Sequence, residues 1–316
     1  MPATSESRLI QVPAGVDSGT EIPVTTITGA RPGPVVALVA GNHGYEYPPI
    51  LALQEFKKQF DPASLAGTLI LVHVANMPSF LGRTVYFSPV DGKNLNRVYP
   101  GRVDGTVSER IALAITSEVI EKADYVLDLH CGDGNEYLRP YVYQTITGTP
   151  AIDEAIAGLA LAFGINHILL DRGRPTDPAK SLYCSTTAIT RGKPAITVES
   201  GYLGTTDAAS VAAIVSGIHG VLRHLGMVES GPSPVARPVY LDPNTVVMSP
   251  ATGILYPRVT RNETVSKGAI LAEITDFFGN PIAEVRSPLD GLVLYIVTTP
   301  PITKGQPIGC VATPRV

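Results

Sequence analysis

Gly41-Asn42-His43-Gly44-Tyr45-Glu46 sits where the period of the chain changes. Before it, Val35 to Ala40 is a continuous apolar run that reads as a buried strand. After it, Pro48 to Phe60 is amphipathic at helical spacing and opens with proline, which a first helical turn tolerates. His43 and Glu46 are three apart, so on a strand exit or a first helical turn they can converge on one ion. One imidazole nitrogen and one carboxylate oxygen make half of a tetrahedral zinc site. The same residues also read as a tight turn whose histidine satisfies backbone groups, and the two glycines suit either reading.

The whole chain sets bounds around that turn. Its 316 residues predict two domains, one large and one small. With 44% hydrophobic and 16% charged residues, the chain can bury a sizeable core. A net charge of −4 without a basic block argues against nucleic acid as a partner. The N-terminus lacks an apolar export core, and no apolar run reaches membrane-spanning length. Cys131, Cys184 and Cys310 are too far apart for a disulfide framework or a thiolate zinc cluster. A cytoplasmic protein with no membrane partner is the expectation.

Upstream of the turn, Leu9–Val12 and Ile22–Ile27 alternate and read as an antiparallel lead-in to the sheet. Downstream, Thr68–Val74 reads as a strand, with His73 as a packed histidine rather than a ligand. Leu81 to Asp104 is then long, polar and glycine-rich, the kind of loop that carries function. Arg83 and Arg97 within it are candidate donors to a carboxylate or oxyanion; the alternative is ordinary solvated surface. Ser108–Ile120 reads as a helix and Tyr125–Leu129 as a strand that delivers Asp128-Leu129-His130. A histidine at the carboxyl end of a buried strand is where an open α/β sheet presents its chemistry, so His130 can supply a third ligand. Asp128 points to the same side and can orient an imidazole. Cys131 reads as a small buried filler. Ile152–Phe163 is a helix closed by Gly164, Ala195–Val198 a strand ending at Glu199, and Thr206–Leu225 the closing helix. His219 and His224 on that helix read as surface or terminal groups. Glu199 either lines a cleft or caps the next helix.

Past Glu229 the texture changes. Ser249-Pro250-Ala251-Thr252-Gly253 recurs as Ser287-Pro288-Leu289-Asp290-Gly291, and Lys267-Gly268 recurs as Lys304-Gly305. This is an internal duplication of a small β module, similar to the lipoyl and biotinyl carrier domains. A carrier needs a lysine at the central hairpin tip, and Thr275–Asn280 has none. The module therefore reads as structural, or as a wall and gate. The expected domains are 1–228 and 229–316.

Taken together, Gly41–Glu46, Asn94-Leu95-Asn96-Arg97, Asp128-Leu129-His130 and Thr197-Val198-Glu199 resemble the succinylglutamate desuccinylase and aspartoacylase family. The resemblance covers about Val35 to Leu225. It implies an α/β fold with a zinc-carboxypeptidase-like mixed sheet flanked by helices, followed by the duplicated small β domain. It implies one Zn2+ per chain held by His43, Glu46 and His130. It further implies Glu199 as general base and acid, Arg83 facing the scissile carbonyl, and Asn96 and Arg97 holding the substrate carboxylate. Asn94 departs from the aspartate that carboxypeptidases often place there to support a ligand histidine; an asparagine accepts one hydrogen bond but brings no charge.

The expected activity is hydrolysis of a small N-acyl amino acid, or an N-acyl diamino acid if Asp133 and Glu136 select an amine. The acyl group is expected to be compact, because Tyr86, Phe87 and Tyr99 crowd the loop. Succinyl would need a cation from Arg139, Arg172, Arg174 or Lys180. A metallocarboxypeptidase on short peptides and a non-catalytic zinc-binding protein are the alternatives. A homodimer is the expected assembly.

Overall fold

The alternation at the N-terminus becomes an antiparallel ribbon in the computed structural model, which describes residues 2–315. β1 (Thr4–Val12) lies against β2 (Thr20–Thr28), with Ile10 opposite Ile22. The apolar run before the opening turn is β3 (Arg31–Ala40), and the proline-started segment is α1 (Tyr47–Gln59). A parallel partner needs such a crossover helix, and β4 (Ala66–Val72) accordingly returns parallel to β3. There follow α2 (Met77–Gly82), α3 (Val107–Glu118), β5 (Tyr125–His130), β6 (Glu136–Leu138) and β7 (Tyr141–Thr145). The remainder of this half is α4 (Pro150–Phe163), β8 (His167–Asp171), α5 (Cys184–Ile189), β9 (Ala195–Glu199) and α6 (Ala208–His224).

β3, β4, β5 and β9 are parallel, whereas β7 runs antiparallel to β9. Side-chain alternation along β3 explains why helices cover both faces. Leu38 and Ala40 join Leu53 and Phe56 of α1 and Ile214 and Ile218 of α6 on one side. Ala37 and Val39 join Ile111 and Ile115 of α3 and Ala188 of α5 on the other. The helix starts are specified locally: the Glu109 carboxylate accepts from Thr106 N at the head of α3, and Asp207 accepts from Ala209 and Ser210 N at the head of α6.

The C-terminal strands are β10 (Val239–Met248), β11 (Gly253–Pro257), β12 (Thr264–Val265), β13 (Ile270–Thr275) and β14 (Pro281–Arg286), then β15 (Gly291–Val297), β16 (Pro301–Ile302) and β17 (Pro307–Arg315). They do not form a detached sheet. β10 pairs parallel with β8, so one ladder runs β1-β2-β4-β3-β5-β9-β7-β8-β10-β17-β15-β12 through both parts of the chain. β6 also pairs with β15. A smaller antiparallel sheet, β14-β13-β11-β16, packs against this continuation, and Leu255, Leu271, Ile274, Val293, Ile296 and Val311 fill the space between.

The duplication is visible as reciprocal pairing. Gly268 N donates to Ser287 O, and Gly305 N donates to Ser249 O, so each copy's Lys-Gly turn holds the other copy's Ser-Pro turn. Gly253 and Gly291, which end the two Ser-Pro turns, occupy matching tight places: an added Cβ would lie 2.1 Å from Thr275 O and 2.5 Å from Ala312 O. Gly253→Ala is therefore expected to cost about 1–3 kcal/mol, as overpacking does. Urea unfolding with an unchanged slope but a lower midpoint would register that loss.

Candidate metal centre

β3, β5 and β9 are neighbours, and their carboxyl ends open on one side of the sheet. His43 leaves the turn after β3, Glu46 caps α1, His130 ends β5, and Glu199 ends β9 directly opposite His130 in the register. Gly44 makes the turn possible by close approach: a Cβ there would lie 2.3 Å from Ser79 O and 2.6 Å from Thr84 O.

Ligand atoms of His43, Glu46 and His130 all lie within 4.8 Å of one another, and all three residues are buried. The Nδ1 atoms of the two imidazoles face the carboxylate, 2.6 Å from Oε1 for His43 and 2.8 Å from Oε2 for His130. Their Nε2 atoms face away, toward Asn94 Oδ1 at 3.1 Å and Asp128 Oδ1 at 2.9 Å. Thus Asn94 does sit on a ligand-type histidine, as an uncharged acceptor, and Asp128 sits on the other. Burial opposes the charge on Glu46, but His130 and His43 outweigh it and bring the carboxyl down to about 2. Burial also opposes the imidazolium forms, and Glu46 outweighs it for His43; Glu46 and Asp128 together raise His130 well above the usual histidine range.

This donor set fits a metal ion. Two imidazole nitrogens with fixed outer partners and one buried carboxylate form a three-ligand N/O set. Glu46 Oε2 is buried, and the only group beside it is His130 Nδ1 at 2.8 Å, not aligned as a hydrogen bond, so a cation set between the two would satisfy both. The set borders an open cleft of about 1190 Å³, so a metal ion held there would be within reach of water and substrate.

Glu199 lines that cleft, and its Oε2 is buried with no hydrogen-bond partner. Burial pushes its carboxyl well up, with Glu46, Glu136 and Asp128 adding to the rise and His130 opposing it. Asn96, Arg97 and Arg83 also line the cleft. Asn96 Oδ1 accepts from Cys184 N, which turns its amide nitrogen toward the centre, 3.2 Å from His130 Nε2. Arg97 lies over the Tyr183 ring at 4.7 Å and donates to Asn96 O. Arg83 is exposed at the end of α2, in a left-handed backbone conformation, and borders the cleft.

Several expected cleft residues lie elsewhere. Asp133 is fully buried, and its carboxylate faces backbone, accepting from Tyr86 N at 2.8 Å and Gly134 N at 2.6 Å. It holds two loops together and does not line the cleft. Glu136 does line it, bound to Asp133 N and within 2.9 Å of the Tyr86 hydroxyl. Tyr86 and Phe87 border the cleft, but Tyr99 is buried beneath it. Arg139 turns to His167, and neither it nor Lys180 lines the cleft. His219 is half-buried against Phe56 and Phe60, between α1 and α6, rather than at the surface.

One pair of cleft residues is new to the structure. Tyr141 and Tyr143 line the cleft with hydroxyls 3.1 Å apart, and their spacing of two on a strand was the available signal. The duplicated module, for which a wall was one of the two expectations, contributes Val246, Met248, Tyr295 and Gln306 to the lining.

The chain is similar to known proteins in sequence and in fold. Residues 32–225 match the succinylglutamate desuccinylase/aspartoacylase catalytic domain. An N-alpha-acetyl-L-2,4-diaminobutyric acid deacetylase from Halomonas elongata is 32% identical over 299 residues, covering 92% of this chain and 85% of the relative. The product-bound ectoine utilization protein EutE (DoeB) from Ruegeria pomeroyi superposes with a TM-score of 0.86 at 28% identity, covering 98% of this chain and 95% of that one. A succinylglutamate desuccinylase from a Silicibacter species superposes at 0.87 with 25% identity, covering 100% and 96%. No helix among the described residues is long and apolar enough to cross a membrane. The chain belongs to the succinylglutamate desuccinylase/aspartoacylase family.

Proposed function

We propose that this protein is a zinc-dependent amidohydrolase that removes a compact acyl group, acetyl foremost, from an N-acylated amino acid bearing a second amine. The observation that carries the reading is the unpaired Glu199 carboxylate beside the His43, Glu46 and His130 donors, in one cleft with Asn96, Arg97 and Arg83. The Halomonas elongata relative, a deacetylase of an acetylated diamino acid, supports the choice of substrate.

Zinc held by His43, Glu46 and His130 would supply Lewis acidity, polarising a carbonyl and lowering the pKa of a water. Glu199 takes the proton from the attacking water and returns it to the departing amine. Its Oε2, free of any hydrogen-bond partner, is open to accept that proton and to pass it on. Asn96 and Arg97 orient the substrate carboxylate, Arg97 by paired donors that its stacking on Tyr183 holds in plane. Arg83 at the rim donates to the oxygen that gains charge.

The acyl preference follows from which cations are already spent. Arg174 lines the cleft but pairs with Asp171 and lies 4.1 Å over the Tyr183 ring. Arg172 lies 3.6 Å from Asp242. Neither is a free partner for the distal carboxylate of a succinyl group. Matched acetyl, succinyl and dipeptide substrates, compared by kcat/KM, test this directly. Acetyl should lead; a clear succinyl preference overturns the compact-acyl assignment, and faster cleavage of ordinary dipeptides makes the protein a peptidase.

Glu136 is the remaining amine selector. Burial pushes its carboxyl up to about 7, despite hydrogen bonds from Asp133 N and Tyr86 that hold it down. Its attraction for an ammonium group is therefore present above that pH and lost as pH falls through it. KM for an acetylated diamino acid should rise on acidification relative to an acetylated monoamino acid. In Glu136→Gln that difference should vanish, with about 0.5–2 kcal/mol of discrimination lost, as for partly screened pairs. Equal pH profiles for the two substrates in the unaltered enzyme would remove Glu136 from this role.

A further inference from the structure

Asp128 is completely buried, and its Oδ1 receives two groups: His130 Nε2 at 2.9 Å and Asn42 Nδ2 at 2.9 Å. Behind Asn42, the Tyr99 hydroxyl donates to Asn42 Oδ1 at 3.0 Å. Asn42 is itself completely buried and Tyr99 nearly so. The other Asp128 oxygen accepts from Ser185 N at 3.3 Å.

The chemistry of these groups gives the chain one direction. Burial pushes the Tyr99 phenol well above its ordinary value, so its hydroxyl keeps a proton to donate. That fixes the asparagine oxygen toward Tyr99 and its NH2 toward Asp128. His130 Nε2 lies closer to Asp128 Oδ1, at 2.9 Å, than to the Asn96 amide nitrogen, at 3.2 Å, and the oxygen, as an acceptor, favours the ring proton on Nε2. In the neutral ring that a metal ion takes, the lone pair is then left on Nδ1, the atom that faces Glu46. His43 has no such chain: its Nε2 meets only the neutral Asn94 amide, which also accepts from Asn96 N.

We propose that Asn42 and Tyr99 are positioning residues for the metal ligand His130, acting through Asp128 to fix its tautomer and ring orientation. The inference rests on the zinc reading above. Tyr99 also lies two residues after Arg97 and exchanges backbone hydrogen bonds with Leu182, at 3.2 and 2.9 Å, beside the Tyr183 ring on which Arg97 stacks. The loop that holds substrate and the ligand that holds metal thus share one buried anchor.

Tyr99→Phe is the sharpest test, because it removes a single O–H without changing the ring. It frees the Asn42 amide to turn its oxygen toward Asp128, where two acceptors would repel. Zinc affinity by chelator competition should fall about 10-fold, the lower end of what outer partners of a ligand contribute. Asn42→Ala should cost more, up to about 100-fold. In both, the visible bands of the cobalt-substituted protein should shift in position and intensity, a change that general loosening elsewhere would not produce. Histidine nitrogen NMR on the unaltered zinc-loaded protein reads the tautomer without any variant, and His130 should carry its proton on Nε2. A proton on Nδ1, or variants with unchanged zinc affinity and unchanged cobalt bands, overturns the proposal while leaving the zinc reading intact. Failure of the unaltered protein to bind zinc at all overturns both.

Discussion

Glu199→Gln should retain zinc and lose turnover by about a hundred- to ten-thousand-fold, the contribution expected of a positioned general base and acid. The substitution preserves shape and removes only the ability to shuttle a proton. Glu199 is not one of the three convergent donors, so metal content should stay unchanged. It stands opposite His130 in the β5–β9 register, close enough that His130 and Glu46 both influence its carboxyl. KM should move little, because Asn96, Arg97 and Arg83 do not depend on Glu199 for a hydrogen bond. A fall of that size in kcat converts to roughly 3–5 kcal/mol of lost transition-state stabilisation. Zinc-loaded Glu199→Gln that turns over at the original rate would remove Glu199 from the reaction.

The centre was legible in the sequence where its parts obey short-range periods. His43 and Glu46 lie three apart across one tight turn, and Asp128 and His130 lie on one face of a strand, so short-range spacing brings each pair together. Asn42 shows the limit. It stands beside His43 in the chain, yet its function depends on Tyr99, 57 residues away, and on the direction in which a buried amide points. No local period encodes that. Asp133 fails for a related reason: composition counts an acidic residue near the site, but only the fold decides whether its oxygens meet substrate or, as here, backbone N–H groups.

The C-terminal module divides in the same way. Its duplication was plain because two turns with strict steric demands, ending at Gly253 and Gly291, repeat the same residues. Its continuity with the main sheet was not, since a parallel pairing between Val239 and His167 leaves no trace in either strand's own pattern. That pairing has a functional consequence. A ladder shared through β8 and β10 holds the wall residues Val246 and Met248 in fixed register with β7 and β9, so Tyr143 and Glu199 face a wall built on the same sheet. The module's share of the lining is uncharged, and the charged side chains of the cleft, Glu136 among them, come from the rest of the chain.

Glu46→Gln should abolish metal binding and activity together, by more than the roughly 10- to 100-fold that loss of an outer partner costs. Glu46 is the only anionic member of the His43, Glu46 and His130 set, and it touches both imidazoles. Without it, two buried histidines face a neutral amide, and nothing offsets the desolvation of a divalent ion. The loss should also appear in stability. A ligand that binds only the folded state adds RT ln(1 + [L]/Kd), about 2.7 kcal/mol at a hundredfold excess over Kd. Added zinc should therefore raise the Tm of the unaltered protein and leave that of Glu46→Gln where it was, while magnesium, which favours all-oxygen octahedral sites, should move neither. This pattern separates a metal centre from a buried ion-pair cluster that merely supports the fold: in the second case zinc would not raise the Tm of either protein, and Glu46→Gln would lower it without metal present.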